Sequence, residues 1–289
     1  MLLQRNLLSN EISTARYFDE SIEVKSQVKQ NMKTAIITGA TGAIGKAIAR
    51  QMAGHGFKVT MIARDEFQAK KVVDEIIAAT GNRDVNFLIA DLSRKSEIIK
   101  LAECWSGPLD VLINNAAATP RRLEKTPEGI EMQFATNVLG YFWMISNFHP
   151  FLKQGTHPRI VNVASYWAGD MDINDLECKR RHYNNDTIYR QSKQADRMLT
   201  AAFAERLKND GITVNAVHPG DVNSKLSNDL GFGGSQTPDQ GAETPVWAAI
   251  APELEGLTGK YFEHRNQVHC HFCDDKIEVE KLFQICSEY

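Results

Sequence analysis

The sequence predicts an α/β fold, a doubly wound parallel sheet in a single domain, on three observations. From Met32 onward, short apolar runs of strand length alternate with longer amphipathic segments, the pattern left by repeated strand and helix crossovers. The first apolar run ends in a glycine-bearing turn that passes directly into a helix. The composition, 43% hydrophobic and 24% charged over 289 residues with 19 Gly and 9 Pro, is that of a globular chain able to bury a large core. Disordered, collagen-like and disulfide-scaffold classes are excluded.

Residues 1–32 stand outside the alternation, mixing polar, charged and apolar residues without the opening of a strand, and are expected to form an N-terminal extension. The domain is expected over 33–289. Its strands are read at 34–38, 58–62, 85–90, 109–114, 159–164, 213–217 and, more briefly, 259–262. Helices are expected at 45–55, 66–79 and 127–151, and at 187–209, where Gly211 follows as a C-terminal cap. Residues 223–245 are rich in Gly, Ser, Asn and Pro and read as a long irregular excursion, either a lid or a surface loop. The apolar stretch 132–152 carries Gln133, Asn137, Asn147, His149 and Pro150, which marks a helix buried in protein rather than a membrane span.

With 33 Lys+Arg against 36 Asp+Glu the chain has no basic field to draw in nucleic acid or an anionic membrane, so any anionic ligand must be held locally. The five cysteines are odd in number and irregularly spaced, which suits reduced thiols in a cytoplasmic setting. The leucines near the N-terminus are interrupted by Gln4, Arg5 and Asn6 before they reach the length of a signal core.

Three constellations carry chemistry. In AIITGATGAIGKAIA the turn holds Gly39, Gly42 and Gly45, and missing Cβ atoms let backbone N–H groups and a helix N-terminus approach a diphosphate. After the second strand come Arg64 and Asp65, about 20 to 25 residues beyond the glycines, where folds of this kind read the adenosine ribose. An arginine there pairs with a 2'-phosphate, whereas an acid accepts from a free 2'-hydroxyl and repels the phosphate. Arg64 is the first residue past the apolar run, so NADP(H) is favoured over NAD(H). In the third constellation, Tyr189 and Lys193 stand four apart on one helix face, and a fixed ammonium stabilises the phenolate of a tyrosine that is otherwise a poor base at neutral pH.

Taken in chain order, these residues resemble the short-chain dehydrogenase/reductase family, with agreement from Lys33 to about Phe262. Thr38, Gly39, Thr41, Gly42, Ala43, Ile44 and Gly45 lie in a stretch similar to its TGxxxGxG turn, with Ala43 where the middle glycine is usual. Asp91 and Leu92 match the position that meets the adenine ring. Asn115 and Ala116 lie in a stretch similar to the NNAG motif, whose last glycine is Ala117 here. Asn137 matches the helix asparagine, Ser165 ends the fifth-strand motif, and Tyr189 with Lys193 matches YxxxK. Pro219 and Gly220 match the PG turn, followed by Val222 and by Ser224 in place of a frequent threonine. The wide interval between Ser165 and Tyr189, with TPEGIEMQFATN, RIVNVAS and TGKYF, looks most like the retinol-dehydrogenase-like branch.

The resemblance implies a Rossmann-like fold and reversible hydride transfer between a nicotinamide and a small-molecule alcohol or carbonyl, lipophilic in that branch. Tyr189 would exchange the proton and Ser165 would orient the substrate oxygen. Lys193 would hold the nicotinamide ribose, and Asn137 would position a water in a proton route. Homo-oligomers through the helices around Asn137 and Tyr189 occur in many relatives, and so do monomers. The alternative is a regulator or scaffold that binds the dinucleotide with little turnover. His264, His269, Cys270, His271 and Cys273 crowd together, but a structural zinc site needs four ligands, commonly from two such pairs, and the cluster is read as surface packing with no metal.

Overall fold

The computed structural model describes residues 32–289, so the expected extension lies outside the described residues except for Met32. Eight strands form one sheet: β1 (Thr34–Thr38), β2 (Lys58–Ala63), β3 (Val85–Ile89), β4 (Val111–Asn114), β5 (Arg159–Val163), β6 (Thr213–His218), β7 (Tyr261–Glu263) and β8 (Asn266–Val268). Their spatial order is β3-β2-β1-β4-β5-β6-β7-β8. Every pairing is parallel except β7 with β8. The order reverses between β1 and β4, and that switch point opens a crevice beyond the strands' carboxyl ends.

The central strands β1, β2, β4, β5 and β6 are short apolar runs because both faces of the sheet are covered there. Side chains alternate between two cores. Ile36, Leu112 and Ile160 point to one core, with helices α3 (Lys95–Cys104), α4 (Gly140–Leu152) and α5 (Asn185–Leu207). Ala35, Ile37, Val111 and Ile113 point to the other, with α1 (Ala43–Gly54) and α2 (Glu66–Thr80). Gly211, at φ 71°, closes the turn after α5 in the left-handed conformation expected of it.

Two expectations change. The helix expected at 127–151 begins later, with a π-helical segment at Phe134–Leu139 leading into α4. Gly129 takes φ 87°, Lys125 bridges Glu131, and the buried Glu131 carboxylate accepts from the N–H groups of Gln133 and Phe134 at 3.0 and 2.7 Å, fixing the start. Residues 223–245 are largely helical, forming α6 (Lys225–Asp229) and the start of α7 (Pro238–Ile250), which packs beside α1. Each helix starts on a capping box, Ser224 with Ser227 and Thr237 with Gln240, the second reinforced by Pro238. Those caps outweigh the loop-like composition.

The chain ends in α8 (Lys276–Glu288), capped by Asp275, whose Val279, Leu282 and Cys286 sit in the core beside α5. Its Phe283 forms an aromatic triangle with Phe142 of α4 and Phe203 of α5, with centroids 5.1 to 5.2 Å apart.

Candidate active site

The turn after β1 packs so closely on itself and on the segment after β4 that side chains are excluded from it. A Cβ at Gly39, which has φ 63°, would lie 2.7 Å from Ala116 Cα, and one at Gly45 would lie 2.3 Å from the Gly39 carbonyl oxygen and 2.6 Å from Asn115 Nδ2. At Gly42 the nearest atom is 3.3 Å away, so the demand there is smaller. Ala43 opens α1 with no penalty, which absorbs the departure from the usual glycine pattern.

Thr38 and Asn115 tie β1 to β4. Thr38 Oγ1 accepts from the N–H groups of Asn115 and Ala116 at 2.8 and 3.0 Å, and Asn115 Nδ2 donates to the Thr38 carbonyl at 2.9 Å. A cleft of about 970 Å³ opens at the switch point, lined by Gly39, Thr41, Gly42, Ala43, Ile44, Gly45, Arg64, Asp65, Asp91, Leu92, Asn115, Ala116 and Ser224. Thr38, Asn137, Ser165, Tyr189, Lys193, Pro219, Gly220 and Val222 do not line it.

On the adenosine side the two charged neighbours differ. Asp65 is the N-cap of α2 and accepts from Gln68 N–H at 2.8 Å, while Arg64 forms no ion pair among the described residues. Lys46 is turned away, paired with Glu75. Asp91 accepts from the N–H and hydroxyl of Ser93 at 3.0 and 2.8 Å, which shapes the turn after β3. Gly220, at φ 108°, leaves room for Gln236, and Val222 bridges the same residue.

Tyr189, Lys193, Ser165 and Asn137 are all buried at the carboxyl end of the sheet. The Ser165 hydroxyl accepts from Trp167 N–H at 3.0 Å and favours the ionised form of the Tyr189 phenol. Burial pushes the Tyr189 phenol above its ordinary range; the Lys193 ammonium and the Ser165 hydroxyl pull the other way without prevailing, and the Asp196 and Asp186 carboxylates add to the rise. The expected depression is therefore a partial offset in the free protein.

Sequence reasoning missed the partner of Lys193. Its Nζ donates to Asp196 Oδ2 at 2.8 Å and to the Val163 carbonyl at 3.0 Å, and lies 5.1 Å from the Tyr141 ring centroid and 5.9 Å from that of Tyr189. Burial works against the ammonium, but Asp196 and the two phenols together hold it charged. Asp196 is itself pushed up to about 6 by burial, against the pull of Lys193. The i, i+3 spacing of Lys193 and Asp196 on a helix was the available signal.

Asn137 sits in the π-helical segment, where the altered backbone turns it to the β4 loop. It exchanges hydrogen bonds with the Ala118 backbone at 2.8 and 3.1 Å and donates to Ser192 Oγ at 3.1 Å. Beside Ser165, Tyr166, Trp167 and Phe232 form an exposed aromatic row with centroid separations of 6.2 and 6.4 Å. His218 packs edge-on against Tyr166 at 4.6 Å, and burial together with His264 and Arg197 lowers it to about 3, so it is neutral.

A parallel sheet with a glycine cradle at its switch point and a buried Tyr-Ser-Lys cluster defines a dinucleotide-dependent oxidoreductase. The sequence profile of the short chain dehydrogenase family matches residues 33–231, and the chain belongs to that family, in its retinol-dehydrogenase-like branch. It is 36% identical over 257 residues to a probable oxidoreductase of Streptomyces antibioticus, covering 81% of this chain and 86% of that protein. It is 33% identical over 255 residues to retinol dehydrogenase 13 of Homo sapiens, covering 81% and 77%. An actinorhodin polyketide ketoreductase solved with NADPH superposes with a TM-score of 0.65 at 25% identity, covering 82% and 97%. The protein is accordingly an NAD(P)-dependent enzyme acting on CH–OH and C=O groups.

Proposed function

We propose that the enzyme uses NADP(H) to interconvert a lipophilic alcohol and its carbonyl compound, and that residues 33–289 carry this activity. The single observation behind the cofactor preference is the division of labour at the end of β2: Asp65 is engaged as a helix cap while Arg64 faces the cleft without an ionic partner among the described residues. The ketoreductase bound to NADPH supports the same reading. The aromatic row beside Ser165 supports a lipophilic substrate, because exposed apolar surface next to a polar site favours an apolar ligand body.

The cradle at Gly39 and Gly45 and the size of the cleft fit a dinucleotide diphosphate. Bound there, the nicotinamide group supplies or accepts the hydride. Arg64 would fork onto the 2'-phosphate, Asp91 and Leu92 would face the adenine, and Lys193 the nicotinamide ribose. Ser224, Pro219, Gly220 and Val222 would close the far end. Ser165 orients the substrate oxygen and donates to it, and Tyr189 holds or returns the proton that the hydroxyl must lose for oxidation. Lys193 would stabilise the phenolate, and Asn137, whose amide is held by the Ala118 carbonyl and Ser192 Oγ, would position a water in the proton route.

The test is a panel of carbonyls and alcohols followed at the NADPH absorbance band with NADH in parallel. Wild type should prefer NADPH at least tenfold in kcat/KM, about 1.4 kcal/mol, and Arg64→Ala should erase most of that preference. A wild-type preference for NADH would overturn the cofactor assignment.

A further inference from the structure

We propose that Cys270 and Cys273 form a thiol–disulfide exchange site, with Cys270 as the attacking thiol and low-molecular-weight disulfides of the glutathione type as its oxidant. The two residues flank the short turn between β8 and α8, and the Cys273 thiol donates to Cys270 Sγ across 3.2 Å. A bonded pair needs about 2 Å, so the two sulfurs already lie near bonding range. Of the five cysteines these are the two partly exposed ones; Cys178 and Cys286 are buried and Cys104 is exposed. In the His- and Cys-rich segment around the pair, His269 is bonded to Asp274 at 3.0 Å, and among the described residues no group of three His, Cys, Asp or Glu is placed to hold an ion.

The surroundings favour a thiolate on one sulfur. Arg197 lies under the pair, its guanidinium carbon 3.6 Å from the Tyr261 ring centroid and 5.6 Å from that of Phe272, while Cys273 Sγ approaches the Arg197 carbonyl at 3.5 Å. The hydrogen bond from Cys273, together with the Arg197 charge and two backbone N–H groups, outweighs burial and lowers the Cys270 thiol to about 7; the shared bond and burial raise Cys273. A donor thiol beside a thiolate of near-neutral acidity is the arrangement that makes exchange fast.

The exchange balances without any further reactant. Cys270 Sγ attacks one sulfur of glutathione disulfide, breaking that bond and releasing one glutathione, which takes the Cys270 proton. Cys273 Sγ then attacks Cys270 Sγ and expels the second glutathione, which takes the Cys273 proton. The dithiol is oxidised by two electrons and the glutathione disulfide is reduced to two thiols. No step touches the hydride-transfer site, so the proposal does not depend on the function proposed above.

The test incubates the full chain in glutathione buffers of graded ratio, traps with acid, alkylates and maps by mass. The expected result is the loss of two hydrogens in the peptide joining Cys270 to Cys273, reversed by dithiothreitol. Cys273→Ser should instead accumulate one glutathione on Cys270, and Cys270→Ser should show markedly less adduct on Cys273. Both thiols remaining alkylatable while exposed Cys104 takes up glutathione would overturn the proposal, as would one zinc per chain in the purified protein that is lost in Cys270→Ser. The wild-type map decides the matter by itself if a variant folds poorly.

Discussion

At the scale of single residues, the site depends on charges placed where water does not reach. Tyr189→Phe removes the proton carrier and little volume, so turnover should fall at least about a hundredfold with cofactor affinity retained in a binding titration. Lys193→Ala should lower both, since its ammonium steadies Tyr189 and also leaves Asp196 buried without its partner. Full turnover in Tyr189→Phe would rule out the mechanism. Glu131 gives a separate prediction for stability. Burial, opposed by two backbone N–H groups, raises its carboxyl from 4.5 to about 7 in the folded state. A raised folded value means this group's contribution is full below about 4.5 and is lost as pH rises through about 7, a swing of about 3 kcal/mol. Comparing denaturant midpoints of wild type and Glu131→Gln from pH 4 to 8 should show that slope only in wild type; parallel curves would contradict it.

At the scale of elements, the turn between β1 and α1 has little tolerance for an added side chain. Gly45→Ala puts a methyl into the Gly39 carbonyl and the Asn115 amide, so the turn must shift and cofactor affinity should fall at least about tenfold. Gly42→Ala meets only one atom at 3.3 Å and should be milder; equal losses in the two would mean that the cradle does not set affinity. The same elements show what a sequence discloses. Strands β1, β2, β4, β5 and β6 were legible because they are mostly buried apolar runs, β3 because its run is rich in strand-forming residues though half-exposed, and the glycine turn because missing side chains are visible in one letter. The capping boxes of α6 and α7 were equally present, as Ser224 with Ser227 and Thr237-Pro238-Asp239-Gln240, but were masked by the glycines and serines around them. Strand β8 was hidden for a different reason: Asn266–Val268 is exposed throughout, and its hairpin turn uses His264 and Arg265 at positive φ rather than the usual Asn-Gly. The Lys193–Asp196 pair was present as an i, i+3 spacing on one helix, whereas Phe232 joins Trp167 in the aromatic row only across space, which composition alone does not record.

At the scale of the whole molecule, the sheet's strand order decides where chemistry happens. Reversal between β1 and β4 opens the cleft, β5 delivers Ser165 just past its end, and α5 runs back beneath it with Tyr189 and Lys193 on its inner face. No helix among the described residues is long and apolar enough to cross a membrane. The two cores on opposite sides of the sheet share the strands but little else, so α1 and α7 pack on the side of the glycine turn while α4, α5 and α8 pack on the side of Tyr189 and Lys193.

The last helix can be restated as a ligand that the chain carries with it. Its receptor is the face of α4 and α5 that holds Phe142 and Phe203, and Phe283 is its anchor, stacked under Arg206 at 3.6 Å. Tethering by a short connection gives such a ligand an effective concentration of about millimolar, far above that of a second copy in solution. A self-association that used this face would first have to win that competition. Light scattering of Phe283→Ala should therefore show concentration-dependent association through the vacated face, where the wild-type helix keeps it occupied; identical scattering from both proteins would mean that the face has no affinity for another copy.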